Sequence, residues 1–502
     1  MAETAQRRAA EAPALPAFAD GGARRMLIGA DWVEAASGRR FEARNPATGT
    51  LLATLPEGDA EDVDRAVAAA RAALDGSWSK AKPDERQAAL LRLADLVDTN
   101  YDELAWLDTL DMGGPISRTR LGRKRMVGLL RFYAGQATAL TGETIENSVP
   151  GAVLTFTARE PVGVVGAIIP WNAPLGMSVL KVGPALATGC AIVLKPAEDA
   201  SLSPLRFAEL VLEAGVPPGV VNVVTGFGRT AGAAIAAHPG IDKVAFTGSH
   251  VTGQEIVRLS AANLKRLSLE LGGKSANIVF ADADLDAAVP GAAMAAFANS
   301  GQVCSAGTRL FVERSIYDDV VARVAAFGAA LKVGDGADPQ TQLGPLISAR
   351  QLERVASYLD IGAAEGAHAV SGGARLTDGA YAKGFYVPPT VFSGVEDRMR
   401  IAQEEIFGPV LCVIPFDGEA EVIARANASM FGLGAGVWTR DVGRALRVAR
   451  AMKAGSVWAN CYQLMDPAVS FGGYRMSGYG RESGARHLDE YLSTKSVWIN
   501  AG

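Results

Sequence analysis

Cysteine is scarce in this chain: four in 502 residues, Cys190, Cys304, Cys412 and Cys461, with no CxxC pair among them. A disulfide framework and a structural zinc site are both disfavoured, and a reducing, cytoplasmic setting fits. The histidines, His238, His250, His368 and His487, are scattered without metal-ligand spacing, so no metal is expected and a Cys–His hydrolase is disfavoured. No excess of one charge sign stands out. The formal net charge is −5 with acids and bases interspersed, which leaves neither a basic face for nucleic acid nor a polybasic membrane patch. The apolar run at 162–169 is far too short to cross a bilayer. Residues 1–25 mix Ala with Glu, Asp and Arg, lack an apolar h-region and read as a loose leader.

What is present is ample core-forming material. Hydrophobic residues make up 49% and charged residues 21%, over a length that calls for two or more domains. Asp59 reads as a helix N-cap before Val63, Val67, Ala70 and Leu74, and Leu90, Leu93 and Val97 mark a second amphipathic helix. From residue 160 the pattern becomes α/β. Apolar runs at 162–169, 191–194, 220–224 and 243–246 alternate with helical stretches around 176–188, 203–214, 229–237 and 251–260. Such alternation predicts a parallel sheet covered on both faces, with ligands beyond the carboxyl ends of its strands. A new section opens near Leu271, where Gly272 and Gly273 break the pattern before a strand at 276–280. The segment 154–159 alternates as a half-exposed strand would, and 497–500 reads as a late strand after a charged helix.

Several segments carry chemistry-bearing residues. Gly226, Gly228 and Gly232 follow a strand but lack the usual dinucleotide spacing, and glycines there are mostly turn formers. Gly248 and Ser249, between a strand and a helix, offer backbone amides to phosphate. Lys195 and Glu198 stand at a strand end, where a carboxylate can accept from both ribose hydroxyls and repel a 2′-phosphate; the alternative is a solvated surface pair. Cys304 lies among small residues, which give a thiol access, whereas the other three cysteines read as small buried hydrophobes. Glu270, between apolar residues beside a glycine pair, is either structurally paired or a base with a raised pKa.

Seven segments in order then resemble the aldehyde dehydrogenase superfamily: Ile169-Pro-Trp171-Asn172, Lys195-Pro-Ala-Glu198, Phe246-Thr-Gly248-Ser249, Glu270-Leu-Gly-Gly-Lys274, Gly301-Gln-Val-Cys304, Glu404-Glu405-Ile-Phe407-Gly-Pro409 and Phe471-Gly-Gly-Tyr-Arg-Met-Ser-Gly478. The resemblance implies an α/β architecture with a Rossmann-like cofactor domain (1–142 and 162–271), an α/β catalytic domain (272–476) and a small oligomerisation sheet (143–161 and 487–502) that builds a homodimer or homotetramer. It implies that Cys304 attacks an aldehyde, that Asn172 and the Cys304 amide hold the oxyanion, and that Glu270 activates the water releasing the acid. Lys181 matches a position linked to proton transfer. For NAD it implies Ile169, Trp171, Lys195, Glu198, Gly228, Gly248, Ser249, Val251, Leu271, Glu405 and Phe407, with Gln351 in surroundings that match less closely. The implied substrate tunnel comprises Ala173, Gly176, Met177, Leu180, Ala298, Val303, Met465 and Phe471. Several of these are small, which predicts a wide apolar tunnel and a bulky aromatic or long-chain aldehyde. No arginine stands out in the sequence as an anchor for a substrate carboxylate. The competing readings are a CoA-acylating dehydrogenase, against which Glu270 argues, a catalytically silent relative, and a cofactor-free cysteine hydrolase, which leaves the nucleotide motifs unexplained.

Overall fold

A computed structural model describes residues 16–502. The earlier part of the leader lies outside the described residues. Its later part is tied down: Ala17–Ala19 forms a short turn, Ala19 enters the core, and Arg24 donates to the Phe18 carbonyl at 3.1 Å.

Alternating Val, Ile and Leu residues build a first sheet of eight strands, ordered Gly478–Tyr479, Arg266–Glu270, Lys243–Thr247, Val164–Ile168, Ala191–Lys195, Val221–Val223, Met26–Ile28 and Asp31–Val33. The five strands from Arg266–Glu270 to Val221–Val223 are parallel, and antiparallel strands close both edges. Their side chains split by parity, as the pleat requires. Val165, Ala167, Ile192 and Leu194 face helices Pro83–Thr99, Arg123–Ala137 and Pro174–Thr188. Val164, Ile168, Val193 and Phe246 face helix Ala60–Asp75. Each Val, Ile, Leu or Phe among them contributes about 1.5–3 kcal/mol on full burial, which is why these strands read as continuous apolar runs. Asp59 caps Ala60–Asp75 as expected, accepting from the Glu61 amide at 3.1 Å, while Asp62 returns a bond from the Asp59 amide at 3.2 Å.

A second sheet of seven strands, His368–Ser371, Thr390–Ser393, Val410–Phe416, Arg309–Glu313, Ala276–Val279, Gly434–Trp438 and Ser456–Ala459, is parallel except at its first pair. The chain passes from the carboxyl end of strand Arg266–Glu270 to the amino end of Ala276–Val279 in five residues, 271–275. That short link sets the carboxyl edge of one sheet toward the amino edge of the other.

A third, antiparallel sheet pairs Leu492–Asn500 with Val153–Pro161 over nine residues, with Thr144–Ile145 at its edge. Two local expectations change. The segment before the last strand is a 3-10 turn, Ala485–Tyr491, rather than an α-helix. Only seven residues separate Gly484, at φ +68°, from the strand, and His487, Leu488 and Tyr491 all turn inward. The stretch around 229–237 opens with a π-turn, Gly228–Gly232, before the short helix Ala233–Ala237.

Candidate active site

Strand order in the first sheet reverses between Val164–Ile168 and Lys243–Thr247, the place where an open parallel sheet leaves a crevice. Residues 169–173 leave the first of these strands and lead into helix Pro174–Thr188. Ile169 is buried and donates to the Lys195 carbonyl at 3.1 Å. Trp171 meets the Phe407 ring edge-on at 5.2 Å. The Asn172 side-chain amide donates to the Gln302 carbonyl at 2.9 Å, which aims it at the turn holding Cys304. That turn is built from left-handed backbone at Asn299 and Ser300, φ +54° and +55°. Asn299 ties it back by donating to the Asn172 and Gln302 carbonyls, both at 3.3 Å.

Cys304 is partly buried, and its environment opposes ionisation. Burial first, then the charges of Glu405 and Glu270, push its thiol up to about 12. Glu270 ends its strand with both carboxylate oxygens buried and without a hydrogen-bond partner among the described residues. Burial, reinforced by the charge of Glu482, holds its carboxyl well above the usual range. It is thus a buried carboxyl with no structural partner among the described residues. Glu405 accepts from the Gly273 amide at 3.1 Å, and burial raises it to about 7.

Lys181, fully buried, donates to Thr247 at 2.9 Å and forms an ion pair with Glu482. Sequence reasoning missed Glu482. The signal was present: it lies in Gly480-Arg-Glu-Ser-Gly484, a carboxylate among glycines, as Glu270 does. Its backbone exchanges two bonds of 2.7 Å with Phe471, joining the loop that carries Met465 and Phe471 to the Lys181 cluster. Ser483, at φ +58°, donates to His487 Nδ1 at 3.2 Å, and Tyr133 bonds the same nitrogen at 2.8 Å.

The remaining expected cofactor residues lie along the carboxyl edge of the first sheet and across from it. Lys195 is buried, donates to the Pro196 carbonyl at 2.6 Å and reaches Glu198 at 3.5 Å. Gly248 donates to the Glu270 carbonyl at 3.0 Å, and Ser249 caps the ten-residue helix His250–Leu259 by accepting from Thr252 at 3.2 Å. Val251 stands exposed in its first turn, and Leu271 packs beneath at Gly253. Gly228 is exposed, and a Cβ there would meet nothing within 4 Å. Gln351 donates its side-chain amide to the Phe407 carbonyl at 2.8 Å, supporting Phe407 at φ +61°.

A dinucleotide fits this donor set. The first amides of a capped helix lack intrahelical acceptors and lie at the surface, Gly228 leaves backbone open to approach, and Glu198 offers a carboxylate steadied by Lys195. Among the expected tunnel residues, Ala173 stands at the N-cap of helix Pro174–Thr188, and Gly176, Met177 and Leu180 lie in its first turns. Ala298 and Val303 flank the left-handed turn, and Trp458 holds the Met465 loop by donating to the Leu464 carbonyl at 2.9 Å.

The aldehyde dehydrogenase family model matches residues 32–497. The chain is similar to a putative aldehyde dehydrogenase, DhaS, of Bacillus subtilis, 50% identical and covering 95% of this chain and 96% of that protein. It is also similar to the phenylacetaldehyde dehydrogenase of Pseudomonas fluorescens, 46% identical over 94% and 95% of the two chains. The NAD+ complex of a Bacillus cereus aldehyde dehydrogenase superposes with a TM-score of 0.93 at 49% identity, covering 95% of this chain and 97% of that one. With the family model spanning nearly all of the described residues and relatives this similar along their length, the chain belongs to the aldehyde dehydrogenase family.

Proposed function

We propose that this enzyme uses NAD to oxidise a bulky aromatic or long-chain aldehyde to its carboxylic acid, by a hydrolytic route through Cys304. The observation that carries the reading is Glu270, a buried carboxylate with no described partner whose charge reaches the Cys304 thiol. A carboxyl raised by burial is a proton acceptor of useful strength, able to take the thiol proton and later that of water. The Cys304 sulfur adds to the aldehyde carbon to give a thiohemiacetal, while the Asn172 amide and the Cys304 N–H donate to the oxyanion. NAD, when bound, would supply the hydride acceptor for this adduct, leaving a thioester on Cys304. Water activated by Glu270 then displaces the acid and restores the thiol. Lys181 and Glu482, ion-paired beside Thr247, provide a proton exit from Glu270.

On the cofactor side, Glu198 accepts from the adenosine ribose, the Gly248–Ser249 turn carries the pyrophosphate, and Glu405 with Phe407 holds the nicotinamide end. Leu180 and the small residues Ala173, Gly176 and Ala298 leave a wide apolar tunnel, and a relative acting on phenylacetaldehyde supports an aryl substrate. The sheet formed by Val153–Pro161 and Leu492–Asn500 serves as the oligomerisation surface, with Leu154, Trp498 and Ile499 exposed on it. The test is NADH formation across aldehydes from acetaldehyde to bulky aryl compounds, with and without CoA. Turnover without CoA that favours the large aldehydes supports the proposal. Equal efficiency on acetaldehyde, or an acyl-CoA product, overturns it.

A further inference from the structure

Of the four histidines only His487 is buried, and the reaction outlined above makes no use of it. It lies in the turn Ala485–Tyr491, between the loop that carries Glu482 and the last strand. Its Nδ1 accepts from the Ser483 amide at 3.2 Å and from the Tyr133 hydroxyl at 2.8 Å. A backbone amide can only donate, so Nδ1 carries no proton and the imidazole is neutral, protonated on Nε2. Burial, with the charges of Lys181 and Lys243 facing the ring, holds its pKa well below the ordinary range and keeps it in that state.

What this nitrogen holds is a strained turn. Ser483 and Gly484 take successive left-handed conformations, φ +58° and +68°. A residue with a Cβ keeps that backbone only where its surroundings enforce it. Glu482, immediately before, is fixed on its other side by its two backbone bonds to Phe471, so the turn at Ser483 decides where its carboxylate points. It points at Lys181. The other half of that pair is reached through Tyr133. Its ring packs on helix Pro174–Thr188 at Gly183, two residues beyond Lys181, where a Cβ would come within 2.5 Å of it. One imidazole therefore ties the loop of Glu482 to the helix of Lys181, by contacts separate from the ion pair itself.

We propose that His487 is a positioning residue: by holding the left-handed turn at Ser483 it keeps Glu482 seated against Lys181, the pair through which the proton leaves Glu270. This rests on the proton exit proposed above and adds to it a residue that acts through Glu482.

The experiment uses two polar replacements that differ in where they place an acceptor. The Oδ1 of His487→Asn falls where Nδ1 stands, whereas the Oε1 of His487→Gln falls near Nε2. Each is made alone and together with Glu482→Gln, and NADH formation is followed with saturating NAD on the best aldehyde of the panel. His487→Gln is expected to lower kcat about tenfold with KM for NAD unchanged, and His487→Asn to stay within about twofold of wild type. In the Glu482→Gln background His487→Gln is expected to change nothing further, because the residue it positions is gone. Tyr133→Phe, which removes one donor and leaves the imidazole, is the milder variant should His487→Gln not fold; it is expected to lose about threefold, again only while Glu482 is present. Equal losses in His487→Asn and His487→Gln, or the same loss with and without Glu482, overturn the proposal. Crystal structures of the two single variants separate its failure from that of the reading beneath it. If Glu482→Gln turns over like wild type, or no aldehyde yields NADH, the proton exit falls. The positioning contact then stands if His487→Asn keeps Ser483 left-handed with Glu482 on Lys181 and His487→Gln does not, and it falls if both keep or both lose that arrangement.

Discussion

The two ends of the crevice are built from the same sheet edge, yet they solve opposite problems. At one end Cys304 and Glu270 lie beside the buried Lys181–Glu482 ion pair, and burial holds the Cys304 thiol and the Glu270 carboxyl well above their ordinary ranges. At the other end Gly228, Ser249 and Val251 stand at the surface and offer backbone and one capped helix terminus. A bound nucleotide needs access and amides. A thiol–carboxylate pair needs exclusion of solvent. The same strand ends deliver both, because burial deepens from the exposed helix His250–Leu259 toward the junction of the two sheets.

The largest break in this contrast is Glu270→Gln. It is expected to lower steady-state turnover by about 10³-fold and to slow the single-turnover burst of NADH as well, since thiol deprotonation and thioester hydrolysis both lose their base. The same variant tests stability. The native carboxyl is raised above its unfolded value, so the native state binds the extra proton, and wild-type stability falls as pH rises through the usual carboxylate range to the raised pKa. Glu270→Gln removes that slope, so urea midpoints of variant and wild type diverge in favour of the variant toward alkaline pH. Next comes Lys181→Met, which strands Glu482 as an unpaired buried charge and is expected to cost about 3–5 kcal/mol by urea titration. A smaller effect reads the buried end directly. With its thiol pushed up to about 12, Cys304 is expected to react with iodoacetamide about tenfold faster for each pH unit between roughly 7 and 10. The smallest tests the open end: Glu198→Ser is expected to relax discrimination against NADP by about tenfold and leave the urea midpoint unchanged.

The open end was the more legible in the sequence. Strand runs such as 191–194 and 243–246 and the small pair Gly248–Ser249 are local signals, and the structure keeps them within a residue or two. The buried end is assembled from distant pieces. Glu270 was visible through its apolar flanks, but its lack of a partner depends on where residues 471–482 fold back. Glu482 went unread because its partner, Lys181, lies 301 residues earlier in the chain.

The pairing of Leu492–Asn500 with Val153–Pro161 has a kinetic side. Lys495 and Glu160 form an ion pair across the sheet although 335 residues separate them along the chain. Contacts of such sequence separation form late, because the intervening chain must be ordered before the ends can meet. Tyr491 and Leu488, just before the strand, are part of the largest core cluster, so the same late event also seals the helices over the first sheet. During synthesis, therefore, Val153–Pro161 keeps one edge unpaired while some three hundred residues emerge, and an exposed strand edge of that kind favours aggregation.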